Sequence, residues 1–343
     1  VLIIEIARQA GVCPATVSRA INNPELVAPD SLARIRAVMQ ANNHVPIPFK
    51  TRRSLKARHQ IQRKIGVWFV GAKSHNPNLN WFQDQLLQAQ STDIRYAIDL
   101  RILFSNSPSE LPPNIWSEHL DGLILQGMEP SAECLAQLRD IPHVWFMTRR
   151  SDFYQGDYVE PNNEENGTIA ADYLKSKGHT SVAVISTDPD YRAVSSRAEA
   201  FIARATALNL NVKKLLGKPN LTHTSFLEFA PLHVESLTLA KRLIECSPKV
   251  TGIYIPVDHF CGAFFRALRE EGLQPGKDVD AIVGNYNPII YHNLDHSPAV
   301  IDILLPTLIR KVVDHILWRI ENPSTKGRVG ISVSPQLVAM NQL

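Results

Sequence analysis

From Lys64 onward short apolar runs alternate with amphipathic stretches, and this alternation limits what the chain can fold into more than any other feature. The apolar runs are IGVWFV (65–70), LRILFS (100–105), GLILQG (122–127), HVWFMT (143–148), VAVIST (182–187), GIYIPV (252–257), AIVGN (281–285) and VIDILL (300–305). Helical spacing of apolar residues fills 80–91, 131–140, 163–178, 193–209, 234–246, 259–272 and 306–321. Strands that alternate with helices imply parallel sheets covered on both faces. Roughly 280 residues of this pattern exceed one core, so two doubly wound lobes are expected. The run 206–224 reads as loop and edge-strand material.

Such sheets bind ligands in the crevice beyond the carboxyl ends of their strands. The polar residues at those ends are His75, Asn76, Gln126, Thr148, Arg149, Arg197, Asp258, Asn285, Tyr286 and Asn287. Of these, His75, Gln126, Arg149, Arg197, Asp258 and Tyr286 form the candidate small-molecule set. A catalytic constellation is not among the motifs: there is no G-x-G-x-x-G after the first strand, no phosphate loop, no G-x-S-x-G and no H-E-x-x-H. An enzyme, a cofactor and a metal site are therefore not expected. Cys13, Cys134, Cys246 and Cys261 lie far apart, which argues for a reducing compartment and against a disulfide scaffold or zinc.

The first 45 residues follow a different period. Ile3, Ile6, Ala7 and Ala10 recur at helical spacing, Gly11 permits a tight turn, and Pro14 opens a second helix, as its fixed φ allows. In that helix Val17, Ala20 and Ile21 share one face, and Ala15, Ser18, Arg19 and Asn22 the opposite one. Cys13 takes the N-cap, where a thiol is a poorer acceptor than a serine hydroxyl. A third helix from Pro29 turns Leu32, Ile35 and Met39 inward and Arg34 and Arg36 outward. This is a helix-turn-helix whose reading face carries small residues and one guanidinium able to reach a guanine edge.

Charge distribution separates this module from a buried helical hairpin. Residues 1–64 hold eleven Lys and Arg against Glu5, Glu25 and Asp30, a balance of +8, while the rest of the chain sums to −5. A basic block beside a recognition helix is the footprint of a polyanion-binding surface. The segment 46–63 continues it: Lys50, Arg52, Arg53, Lys56, Arg58 and Arg63, with Lys64 next, would order against phosphates. Leu55, the one large aliphatic residue between Phe49 and Ile61, is a candidate minor-groove wedge. The opening VLII meets Glu5 and Arg8 at once, unlike an export signal, and no apolar run reaches the ~18 residues of a membrane span. Both point to the cytoplasm.

AGVCPATVSRAIN, the basic hinge with RRSL (52–55), DGLILQG (121–127), NEENGTIAADYLKSKGHTSVAVIS (163–186) and SRAEAF (196–201) together resemble the lactose-repressor (LacI/GalR) family of bacterial transcription regulators. VGISVSPQLVAM (329–340) is similar to that family's last strand. The resemblance spans essentially the whole chain. It implies an α/β fold with an N-terminal three-helix helix-turn-helix domain (1–45), a hinge (46–63) and a two-lobed periplasmic-binding-protein-like body. The body's first lobe would hold 64–159 and 299–321, and its second 160–298 and 322–343. It also implies a cytoplasmic homodimer, or dimer of dimers, that binds a double-stranded DNA operator and answers to a small-molecule effector, a carbohydrate or a derivative. Pro14, Ala15 and Arg19 would lie at the bases, Thr16, Ser18 and Asn22 at phosphates or helix supports, and Leu55 at the operator centre with Lys50, Arg52 and Arg53 alongside. Pro48 rather than Pro46 matches the hinge proline.

The body departs from the family at three places. Ala200 stands for the glycine of R-x-x-G-F, Val257 for the asparagine before Asp258, and Gly284, Asn285, Tyr286, Asn287 for Gly-Tyr/Phe-Asp-Asp. Two groups that would grip sugar hydroxyls are thereby replaced. The rival function, a small-molecule receptor without a DNA role, leaves the coincident basic block unexplained.

Overall fold

The computed structural model describes residues 3–41, 60–72, 83–88, 93, 95–147, 154–187, 189, 192–217 and 229–338. The chain divides into two compact units: an N-terminal one, 1–62 with 93–97, and a body formed by the remainder.

The N-terminal unit holds helices α1 (Ile3–Ala10), α2 (Pro14–Asn22) and α3 (Pro29–Ala41). Gly11 ends α1 at φ +64°, and the Val12 N–H returns to the Ala7 carbonyl at 3.0 Å, closing a left-handed helix stop. A Cβ at Gly11 would meet nothing, so the position needs glycine for its dihedral rather than for space. Ile6, Ala7, Ala10, Val17, Ile35 and Met39 form the core, with Val12, Ala20, Ile21 and Val38 packed on it. Leu32, expected inward, is only partly buried.

The body contains two six-stranded sheets. Strands β1 (Ile61–Val70), β2 (Tyr96–Ser105), β3 (Gly122–Gly127), β4 (His143–Phe146), β5 (Asp157–Pro161) and β11 (Gly330–Val333) form the first, in the order β11-β5-β4-β3-β1-β2. The second runs β12-β10-β9-β8-β6-β7, from β6 (Ser181–Ser186), β7 (Asn211–Leu216), β8 (Gly252–Ile255), β9 (Asp280–Gly284), β10 (Ala299–Asp302) and β12 (Gln336–Val338). Registered pairs are parallel except β10 with β12. The helices that cover the sheets include α4 (Ala132–Gln137), α5 (Asn163–Ser176), α6 (Arg192–Ala207), α7 (Phe229–Ile244), α8 (Cys261–Glu270), α9 (Pro288–Tyr291) and α10 (Leu305–Glu321). One face of the second sheet packs on α7 and α8 through Leu239, Leu243, Phe264 and Leu268; the other packs on α5 and α6 through Ala170, Leu174, Ala198 and Phe201.

The sheets redraw the expected lobe boundaries. Residues 299–321 are expected together in the first lobe, but β10 lies in the second sheet and only α10 packs on the first, against β3, β4 and β5. Residues 322–343 are expected in the second lobe, yet β11 pairs with β5 of the first sheet and only β12 reaches the second. VGISVSPQL is thus two strands in two sheets, split at Ser334 and Pro335. Strand β1 also starts earlier than expected and takes up Arg63 and Lys64. Asp121 receives Arg63 Nη1 at 3.1 Å and the Lys64 N–H at 2.8 Å, and Glu118 lies 3.7 Å from Lys64 Nζ. Carboxylates from the loop before β3 hold these two cations, so they do not belong with the phosphate-facing set.

Candidate functional site

Helix α2 is short because its ends are set by Pro14 and by the return of the Asn23 N–H to the Arg19 carbonyl at 2.7 Å. Cys13 is its N-cap residue and supplies no side-chain cap; its Sγ instead lies 3.1 Å from Thr16 Oγ1. These hydrogen bonds, Thr16 first, hold the Cys13 thiol below the usual thiol range. Val17 is fully enclosed, and Pro14, Ala15 and Arg19 are exposed on the other side. Asn22 turns its amide back to the Ser18 carbonyl at 2.8 Å, which makes it a helix support. Lys50, Arg52, Arg53 and Leu55 lie outside the described residues.

The second candidate site lies at the carboxyl ends of β8 and β9 and the start of α5. Asn162 caps α5 by accepting the Glu165 N–H at 3.1 Å and donating to the Glu165 carboxylate at 3.2 Å. Glu164 and Glu165 in the first turn suit the helix dipole. The cap fixes Asn163, whose Oδ1 accepts from Arg197 Nε at 2.8 Å. Arg197 Nη1 donates to the Pro256 carbonyl at 2.6 Å and to Asn285 Oδ1 at 2.8 Å. The side chain is 2% exposed, so its charge is spent on protein acceptors rather than held out to solvent.

Two close approaches make this possible. A Cβ on Gly167 of α5 would lie 2.2 Å from the Arg197 carbonyl, and one on Gly284 would lie 2.5 Å from the Pro256 carbonyl. Helices α5 and α6 therefore meet nearly backbone to backbone, with Ala200 in the contact. Beside Arg197, Asp258 accepts the Asn287 N–H at 3.0 Å, while enclosure by protein pushes its carboxyl up to about 6. Asp258, Cys261, Tyr286, Tyr291 and Leu294 line a small, largely apolar recess, and the rings of Tyr286 and Tyr291 meet edge to face at 5.5 Å.

Residues 2–46 match the family model for bacterial regulatory proteins of the lacI family, and residues 171–339 match the periplasmic binding protein-like domain. The N-terminal segment thus matches one of the two models and most of the body's second half the other. It is 24% identical over 349 residues to the HTH-type transcriptional repressor PurR of Edwardsiella ictaluri, covering 97% of this chain and 94% of that one. It is 26% identical over 216 residues to the ribose operon repressor of Escherichia coli K12, covering 61% and 62%. Among solved structures, the lac repressor dimer bound to operator and the anti-inducer ONPF shares the fold at TM-score 0.61 and 16% identity, covering 99% of this chain and 98% of that chain. A complex of the transcriptional regulator CelR with cellobiose has the same TM-score, identity and coverage.

The structure gathers Arg197, Asp258 and Tyr286 around the carboxyl ends of β8 and β9. Gln126 is the next-to-last residue of β3 in the first sheet and is partly exposed. His75 and Arg149 lie outside the described residues. The candidate set omits Asn163, Asn285 and Asn287, which supply the acceptors and the N–H of the cluster; the last two are legible as strand-end polar residues. Asn163 gives no sequence signal beyond its place after a cap. Among the described residues no group of three or more His, Cys, Asp or Glu could hold a metal ion, and no helix is long and apolar enough to cross a membrane.

Proposed function

We propose that this chain is a cytoplasmic, dimeric, sequence-specific transcriptional repressor that reads a pseudo-palindromic operator and is tuned by a small molecule in the body's crevice. The observation that carries the reading is α2 itself: Val17 is sealed in the core while Ala15 and Arg19 stand out on the opposite face. Arg19 is the long side chain of that face and takes the base-reading role. Pro14 and Ala15 allow close approach, Thr16 and Ser18 lie where phosphates pass, and Lys50, Arg52, Arg53 and Leu55 serve the hinge contact. The effector set is Arg197, Asp258 and Tyr286 with Gln126, His75 and Arg149. Because Arg197 is spent on internal acceptors, its role is to hold the crevice in shape. Effector occupancy changes operator affinity by a coupling free energy of about 1–3 kcal/mol.

A mobility-shift series on DNA selected from a random pool tests this. Arg19→Ala should weaken operator binding by about 1–3 kcal/mol and relax preference at one base pair, while Lys50→Ala weakens all sequences alike and flattens the salt slope. Equal losses of specific and non-specific binding in Arg19→Ala would remove Arg19 from base reading. Absence of any sequence-selective binding by the wild-type chain would overturn the function itself.

A further inference from the structure

Helix α9 is a single turn, and hydrogen bonds fix both of its ends. Pro288 opens it, Asn287 Oδ1 accepts the Ile289 N–H at 3.0 Å, and the Asn287 N–H donates to Asp258 at 3.0 Å. At the other end the Tyr291 hydroxyl donates to the Pro298 carbonyl at 2.9 Å, so its polar atom is used and its ring is left to pack. The recess beside Asp258 lies between this turn and the start of α8. Cys261, Val283 and Tyr291 are buried and form its floor; Asp258, Tyr286, Ile290 and Leu294 are half-buried and form its rim. Burial pushes the Cys261 thiol well up, so it stays neutral and behaves as a small apolar group.

The recess has room for about one water-sized group, and its walls are almost entirely apolar. An ordered water needs about two to four polar partners, which such walls do not offer, so the space favours an apolar occupant. Left empty, it forfeits the dispersion contacts of every side chain that lines it. The rim carries Asp258 and Tyr286, two members of the effector set. We propose that the recess is a subsite for one methyl-sized substituent of the effector, so that the chain selects a small polar ring bearing a C-methyl group over its counterpart without one. A deoxy sugar and a methylated nucleobase share this chemistry. The inference rests on the reading of this crevice as the effector site. A hydroxymethyl in place of the methyl would carry a hydroxyl out of water into apolar walls, and a hydrogen in its place would leave the space unfilled.

Xenon, close to a methyl group in size, probes the recess without any effector. The full chain, labelled at the methyls of Ile, Leu and Val, is observed by NMR under xenon pressure. Xenon should shift the methyls of Val283, Ile290 and Leu294 together. Leu294→Phe, or Val283→Ile where the first variant does not fold, fills the space and should remove the shifts at the methyls that remain. Calorimetry then compares matched pairs: L-fucose with L-galactose, L-rhamnose with L-mannose, and thymine with uracil. The methyl-bearing member of one pair should bind about tenfold more tightly than its partner, and the ratio should fall to about one in the filled variant. The pair that discriminates tells whether the ring is a sugar or a base. Methyls unmoved by xenon, no binding by any pair, or a ratio that is near one in the wild type or survives filling overturns the proposal. A pair that discriminates as expected yet leaves operator affinity unchanged would remove the effector reading while the methyl subsite stood.

Discussion

Asp157 is buried and Asp258 half-buried, each near an arginine, and the fold moves their proton affinities in opposite directions. Asp157, at the start of β5, receives His315 Nε2 at 2.8 Å and Arg319 Nε at 2.7 Å on one oxygen, and Arg319 Nη2 at 2.7 Å and the Val329 N–H at 2.9 Å on the other. Burial alone would raise its pKa, but these donors outweigh burial and hold the carboxyl below its usual range. Asp258 accepts the Asn287 N–H, feels the Arg197 charge without an ion pair to it, and is carried by burial up to about 6. The number and aim of donors decides the sign, rather than the presence of a neighbouring arginine. Asp157 fastens β5, α10 and the entry to β11 within one sheet. Asp258 retains a proton affinity near neutrality, the condition in which a crevice carboxyl can respond to a ligand.

The severest way to break this contrast is Asp157→Ala. It leaves Arg319 and His315 facing each other in the interior, and removing one partner of a buried pair costs about 3–5 kcal/mol. A urea midpoint equal to wild type would mean that the cluster contributes no more than a surface pair. Arg197→Met should cost less, about 2–3 kcal/mol, because it strands the neutral acceptors Asn163, Pro256 and Asn285 rather than an opposite charge. It should also lift the pH at which Asp258 titrates, since Arg197 favours the charged carboxylate. If Arg197→Met proved the more costly of the two, the crevice and not the β5 cluster would be the body's main anchor.

The same contrast marks what can be read from the chain. Local period and capping chemistry give α2 and its two faces, because Val17, Ala15 and Arg19 are set by a single helix. Strand ends give Asp258 and Tyr286 by position, and a helix start gives Arg197. Partners 34 to 162 residues apart leave no such trace: Asn163 with Arg197, and Asp157 with Arg319, follow from sheet order alone. The lobe assignment fails at β10 and β11 for a related reason. A strand of four residues carries too little pattern to say which sheet it joins, and Arg63 and Lys64 read as free cations until the fold brings Asp121 and Glu118 beside them.

The mildest test separates the two aspartates by pH. Asp258 has its folded pKa, about 6, above the ordinary 3.8, so the folded chain takes up this proton at a higher pH than the unfolded chain. The stability contributed by that proton is fully present below about 3.8 and is lost as pH rises through about 6. At neutral pH the enclosed charge thus costs at most about 3 kcal/mol, two pKa units being near that figure. Asp258→Asn removes the titration, so it should match wild type in melting at pH 4 and exceed it at pH 7. Asp157 works in the other window: its pKa is depressed, so its contribution is present above 3.8 and lost as pH falls through the depressed value. Asp157→Ala should therefore lie furthest below wild type at neutral pH and approach it on acidification. An Asp258→Asn chain that kept the wild-type slope between pH 4 and 7 would show that the proton belongs to another group, and that the opposition between the two aspartates is not the one that sets the pH profile.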